Sequence, residues 1–176
     1  MIVKSHEISK INILNVNYFL FYGKNDGLKN QVIEENFIIN FKGQILKYDE
    51  NDFINNYEIL LSEFFNKSLF ETDKLIIISK VTDKIMKFID EITESNLKDI
   101  KIIFKAGVLE KKSKLRSLFE KNKKLISVPF YEDDPRSLSN IVIKFLNLNN
   151  IKLSRESINL IINRSSGDRQ NLKIEL

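Results

Sequence analysis

Five short apolar runs, each separated from the next by a stretch of helical periodicity, constrain the fold of this chain more than any other feature. Val16 to Tyr22, Gln44 to Tyr48, Lys74 to Ser79, Ile100 to Phe104 and Leu125 to Val128 read as strands, the last of them closed by Pro129. Between them, apolar residues recur at the i, i+3, i+4 spacing of amphipathic helices. The sets are Leu28, Val32, Ile33 and Phe37; Tyr57, Leu60, Leu61, Phe64 and Phe65; Ile85, Phe88, Ile89 and Ile92; and Leu115, Leu118 and Phe119, with Ser113 as a cap. The strands are too apolar to keep one face in water. The expectation is therefore an α/β fold: a five-stranded parallel sheet covered by helices on both sides.

Beyond Pro135 only helical patterns remain, over Leu138 to Leu148, over Arg155 to about Ser165, and from Gln170 onward. Ser154 and Asp168 are suited to cap the second and third of these, and Gly167 to end the second. The expected division is an α/β domain over 1–136 and the start of a small helical domain over 137–176. The last helix has room for about seven residues, short of the roughly 12–15 that an isolated helix needs, so this second domain is expected to be incomplete.

Composition removes several classes of function. With no cysteine and one histidine, the chain has no disulfide framework, no thiolate or histidine-cluster metal site and no cysteine nucleophile. Apolar runs such as Leu75 to Ile78 fall far short of the roughly 20 residues of a membrane-spanning helix. Met1 to Glu7 carries no basic stretch leading into an apolar one, so a cytoplasmic protein without a membrane partner is expected. The net charge of +4 and the pI near 9.1 favour an anionic partner.

One stretch lies where a phosphate-binding loop would: Gly23-Lys24-Asn25-Asp26-Gly27-Leu28-Lys29-Asn30, between the first strand and the first helix. A working loop reads G-x-x-x-x-G-K-[ST], with glycine backbone around the phosphates, a lysine on them and a hydroxyl on magnesium. Here the glycines are too close, Leu28 stands in the lysine position, and no Ser or Thr follows Lys29. The third strand runs into Ser79-Lys80, not into an acidic pair able to hold magnesium. The loop is degenerate, and no cofactor is expected. Asp133-Asp134 and Glu34-Glu35 are adjacent carboxylates whose side chains diverge, which does not suit a shared acid–base task. No catalytic residue is assigned, and no metal ligand.

Two further places could meet partners. Lys111, Lys112, Lys114, Arg116, Lys121, Lys123 and Lys124 crowd one segment, and Lys112, Lys114 and Arg116 form a candidate patch facing DNA. The lysine-rich background and the intervening Glu110 and Glu120 favour a solvated helix surface instead. Ser68-Leu69-Phe70 falls in a short connection where two large apolar residues need burial, either over the sheet edge or in a partner's pocket.

Five blocks of the chain, in order and spacing, resemble the delta subunit of the bacterial DNA polymerase III clamp loader, in wording close to its alphaproteobacterial branch. They are Tyr18 to Leu28 (YFLFYGKNDGL), Ser68 to Ser79 (SLFETDKLIIIS), Lys105 to Phe119 (KAGVLEKKSKLRSLF), Val128 to Asp134 (VPFYEDD) and Ser166 to Leu176 (SGDRQNLKIEL). The resemblance implies an AAA+-like first domain with a degenerate phosphate loop, followed by a small helical domain. It implies a non-catalytic subunit that binds the sliding clamp and favours its opening, with ATP hydrolysis in sibling subunits and polymerase activity in another. Position for position, it places the clamp anchor at Leu69 and Phe70, beside Ser68. The family's third, collar domain, which joins delta to the other loader subunits around DNA, has no counterpart within these residues. A nucleotide enzyme and a nucleic-acid binder working through Lys111 to Lys124 are the competing readings.

Overall fold

The computed structural model describes residues 1–11, 13–65, 73–95 and 99–176. Its centre is a five-stranded parallel sheet in the order β2-β3-β4-β1-β5. The strands are β1 (Tyr18–Gly23), β2 (Gln44–Asp49), β3 (Lys74–Ser79), β4 (Ile100–Lys105) and β5 (Ile126–Phe130). Tyr18 pairs with Ile102 and Ile76 with Ile102 in register, so β4 lies between β1 and β3. Successive residues of β1 point to opposite faces, and both sets are apolar. Tyr18, Leu20 and Tyr22 enter one core cluster, while Phe19 and Phe21 meet Phe37 edge-on, with ring centroids 5.0 and 6.0 Å from it. This two-sided burial is why the central strands read as unbroken apolar runs.

β2 is an edge strand and is only half-buried, in keeping with its polar Gln44 and Lys47. β5 is the other edge, and it runs one residue past Pro129 instead of stopping before it. An edge position explains this, since proline there forfeits no ladder hydrogen bond that the sheet needs.

The helices are α1 (Asp26–Ile33), α2 (Glu50–Asn55), α3 (Tyr57–Phe65), α4 (Met86–Ser95), α5 (Lys114–Lys121), α6 (Pro135–Leu148), α7 (Arg155–Arg164) and α8 (Arg169–Glu175). α1 passes into a π-helical turn over Glu34–Ile38, which carries Phe37 to the sheet. Phe88 and Ile89 of α4 and Leu115 and Phe119 of α5 are buried in the same cluster as Leu20, Ile76 and Phe104. α2 has no counterpart among the helical patterns of the sequence. It is held by Glu50, a buried carboxylate that accepts from the amide (2.7 Å) and hydroxyl (2.8 Å) of Thr82.

Contacts divide the chain into two compact units. One comprises Met1–Gly23 and Val32–Pro129; the other comprises Lys24–Gln31 and Phe130–Leu176. The second has its own core of Leu138, Val142, Leu146, Ile162 and Leu172. Its helices start on side-chain caps, as orphan N–H groups require: Asp134 on Ser137, Ser154 on Ser157, and Asp168 on both Gln170 and Asn171. Among the described residues no helix is long and apolar enough to cross a membrane.

Candidate functional site

The loop after β1 is built by short-range bonds and closed by distant ones. Asn25 caps α1, its Oδ1 accepting from the Leu28 amide at 2.9 Å. The same amide group turns its Nδ2 to the carbonyl oxygen of Tyr131 (3.0 Å) and to Oδ2 of Asp133 (2.8 Å). Asp133 also accepts from two of the three nitrogens of the Arg169 guanidinium, with Nε at 2.9 Å from Oδ2 and Nη2 on Oδ1. The third, Nη1, donates to Oε1 of Gln31 at 3.2 Å. The Arg169 and Asp133 side chains are 12% and 5% exposed, so this bidentate pair is nearly out of water.

Gly27 makes the closure possible. A Cβ there would lie 3.0 Å from the Gln170 backbone nitrogen and 3.2 Å from the Arg169 Cβ, so α8 approaches the loop at a distance only glycine accepts comfortably. The loop's lysine is also committed. Lys29 is buried and its Nζ sits 2.8 Å from Oδ1 of Asp26, on the helix's own first turn.

At the end of β3, where an acidic pair would hold magnesium, stand Ser79 and Lys80. Lys80 has a left-handed backbone (φ 59°) and reaches Oδ2 of Asp49 at 2.7 Å. That hydrogen bond raises the affinity of the amine for its proton. Among the described residues no cluster of three or more histidines and carboxylates could hold a metal ion.

The basic segment separates in the structure. Lys111, Lys112, Lys114 and Lys121 line an open groove along α5, together with Ser117, Leu118 and Asn122. Arg116 leaves the group that the sequence placed it in. Its guanidinium donates to Glu120 (2.7 Å) and to the Leu109 carbonyl (3.0 Å), and lies 5.1 Å from the centre of the Tyr22 ring. Tyr22 in turn donates to the same Glu120 oxygen at 3.1 Å. Lys112 is on the surface and paired with Glu110 at 2.9 Å. The i, i+4 spacing of Arg116 and Glu120 was the available signal for that inward pairing.

The N-terminus of α5 is already occupied. Asp83 accepts from the amides of Leu115 (3.0 Å) and Lys114 (3.1 Å) and from the Ser113 hydroxyl (2.7 Å). The Leu115 amide first, and the Ser113 hydroxyl second, hold its carboxyl below the usual range. No sequence pattern marked Asp83, which lies 30 residues from Ser113. Ser68, Leu69 and Phe70, the candidate clamp anchor, lie outside the described residues.

The sheet order, the flanking helices and the three helices after β5 define the class: an AAA+-type fold of the kind found in clamp-loader, RuvB and DnaA proteins. Among solved structures, the chain is similar to the DNA clamp loader delta protein YqeN of Bacillus subtilis, at TM-score 0.58 and 12% identity over 97% of this chain and 55% of that one. It is similar to the RuvB Holliday junction branch migration motor of Thermotoga maritima, at TM-score 0.54 and 13% identity over 90% of this chain and 52% of that one. Domain III of the replication initiation protein DnaA of T. maritima gives TM-score 0.50 and 14% identity over 96% of this chain and 77% of that one. The chain thus spans about half the length of the first two. No protein-family model and no curated protein sequence matches it.

Proposed function

We propose that this chain is the clamp-binding part of a delta-type clamp-loader subunit, a protein-interaction module without catalysis of its own. One observation carries the reading: in an AAA+-type fold, the loop that would take a nucleotide is shut by Asn25, Asp133 and Arg169 of the same chain. An ATPase scaffold whose loop is served internally suits a subunit that works by binding. Its similarity to the delta protein of B. subtilis supports the same reading, as do the sequence blocks that resemble that family. The partner is the sliding clamp, in the cytoplasm, with further loader subunits and DNA in the assembly. Polymerase and ATPase activities belong to other subunits. Binding favours the open ring by the amount by which the open form binds better.

The residues proposed to carry the contact are Leu69 and Phe70, beside Ser68. Burying two such side chains in a partner's pocket contributes about 1.5–3 kcal/mol each, so replacing both by alanine should weaken binding on the order of a hundredfold or more. Surface plasmon resonance on immobilised clamp, run alongside thermal denaturation, tests this. Lost binding with unchanged melting is expected. A folded double variant that binds normally, or one that unfolds, overturns the assignment.

The groove along α5 favours a second reading, contact with a nucleic-acid backbone through Lys111, Lys114 and Lys121. Binding to duplex DNA that falls steeply with added salt, and falls again on Lys114→Ala with Lys121→Ala, would support it. No binding at low salt would remove it.

A further inference from the structure

We propose that Asp133 is a built-in anionic ligand: its carboxylate fills the anion-holding position beside the segment Lys24–Gln31, which holds the loop end and most of α1, and locks that segment to α8 without any external ligand. This inference does not depend on the clamp-binding reading. It concerns how the second compact unit is held together.

The position has the composition of a site for an oxyanion. A guanidinium fork and a side-chain amide converge on one point at hydrogen-bond distance, next to the first turn of a helix. What they hold is a carboxylate only 5% exposed, supplied by the segment just after β5. Asn25, Gln31, Asp133 and Arg169 come from three separate stretches of chain, and Asp133 and Arg169 make the bonds that tie them together. The grouping of Lys24–Gln31 with Phe130–Leu176 in one compact unit is the expected result of such a tie. Gly27 belongs to the same design, since a Cβ there would crowd the Gln170 backbone nitrogen and the Arg169 Cβ of α8.

A tethered carboxylate competes with free anions at a large effective concentration, so the site is taken in the intact chain. Removing it should therefore leave a vacancy that a small oxyanion can fill. The test is chemical rescue of Asp133→Ala, using sodium formate and, separately, inorganic phosphate against sodium chloride at equal ionic strength. The readout is amide hydrogen exchange.

In Asp133→Ala, amides in both 24–31 and 169–175 should exchange on the order of a hundredfold faster, because a buried guanidinium has lost its partner, while those of β3 and β4 keep their rates. Formate or phosphate should recover at least about tenfold of that loss. Arg169→Ala should loosen the same two segments but gain nothing from either anion, since the fork that holds them is gone. Asp133→Asn, which keeps the volume, guards against a variant that fails to fold and should loosen the same segments. Unchanged exchange in 24–31, a loosening spread evenly through the sheet, the absence of any rescue, or equal rescue of Arg169→Ala would each overturn the proposal.

Discussion

Asp83 shows how much a single side chain can organise. It answers two of the amides that α5 would leave unsatisfied and fixes the Ser113 hydroxyl as well. Asp83→Ala should cost about 1 kcal/mol, the usual worth of a capping interaction, in urea denaturation at neutral pH. Its pH dependence has a definite sign. The folded-state pKa is depressed, first by the Leu115 amide and then by the Ser113 hydroxyl, so the contribution is full above the unfolded carboxylate value. It is lost as pH falls through the lower folded value. The stability difference between wild type and Asp83→Ala should therefore narrow below about pH 4 and vanish in stronger acid. A difference that stayed constant down to the acid transition would mean that Asp83 acts without its charge. The sequence could place Ser113 as a cap because capping is local, within three residues. Asp83 remained invisible because its partners are brought to it only by the fold.

At the level of the elements, the strands were legible and their edges less so. β1, β3 and β4 are buried on both faces, so hydrophobicity alone locates them. Pro129 misled because a proline ends a central strand but not an edge one, and strand order is not written in any local window. α2 was missed for a related reason: its one deeply buried apolar residue is Phe53, and its anchor is the buried Glu50. β2 depends on a close approach at its start. An added Cβ at Gly43 would fall 1.8 Å from the Asp73 carbonyl oxygen, the same oxygen that accepts from the Gln44 amide at 2.9 Å. Gly43→Ala should thus force the entry of β2 away from β3 and cost about 1–3 kcal/mol, the scale of overpacking against backbone. A chemical-denaturation midpoint equal to that of wild type would show that β2 can shift without penalty. Gly27→Val makes a parallel case at α1, where the obstruction is the backbone of α8. It should lower stability by a similar amount, about 1–3 kcal/mol, and should loosen 169–175 in hydrogen exchange.

For the molecule as a whole, the segment after β1 departs from the nucleotide-binding pattern and is tied by Asp133 and Arg169 of the same chain. Spacing alone disclosed that the loop was degenerate; it did not disclose what serves the loop instead. Asp133 read as half of an adjacent acidic pair with diverging side chains, and nothing singled out Arg169 within its block. Only the fold brings them to Asn25. Titration calorimetry with ATP and magnesium should show no micromolar binding, and single substitutions toward the G-x-x-x-x-G-K-[ST] pattern should not restore it, because the internal carboxylate would still hold the site. Micromolar binding with turnover would overturn the non-catalytic reading.

The closure also sets an order of events during synthesis. Gln31 and its partner Arg169 are separated by 138 positions, and Asn25 and Asp133 by 108. At about 5–20 residues per second, a ribosome needs on the order of ten seconds to travel from the first of these segments to the last. α1 can form in about a microsecond once it emerges. Every newly made copy therefore passes through a period, long on the scale of folding, in which its loop is exposed and has nothing to hold.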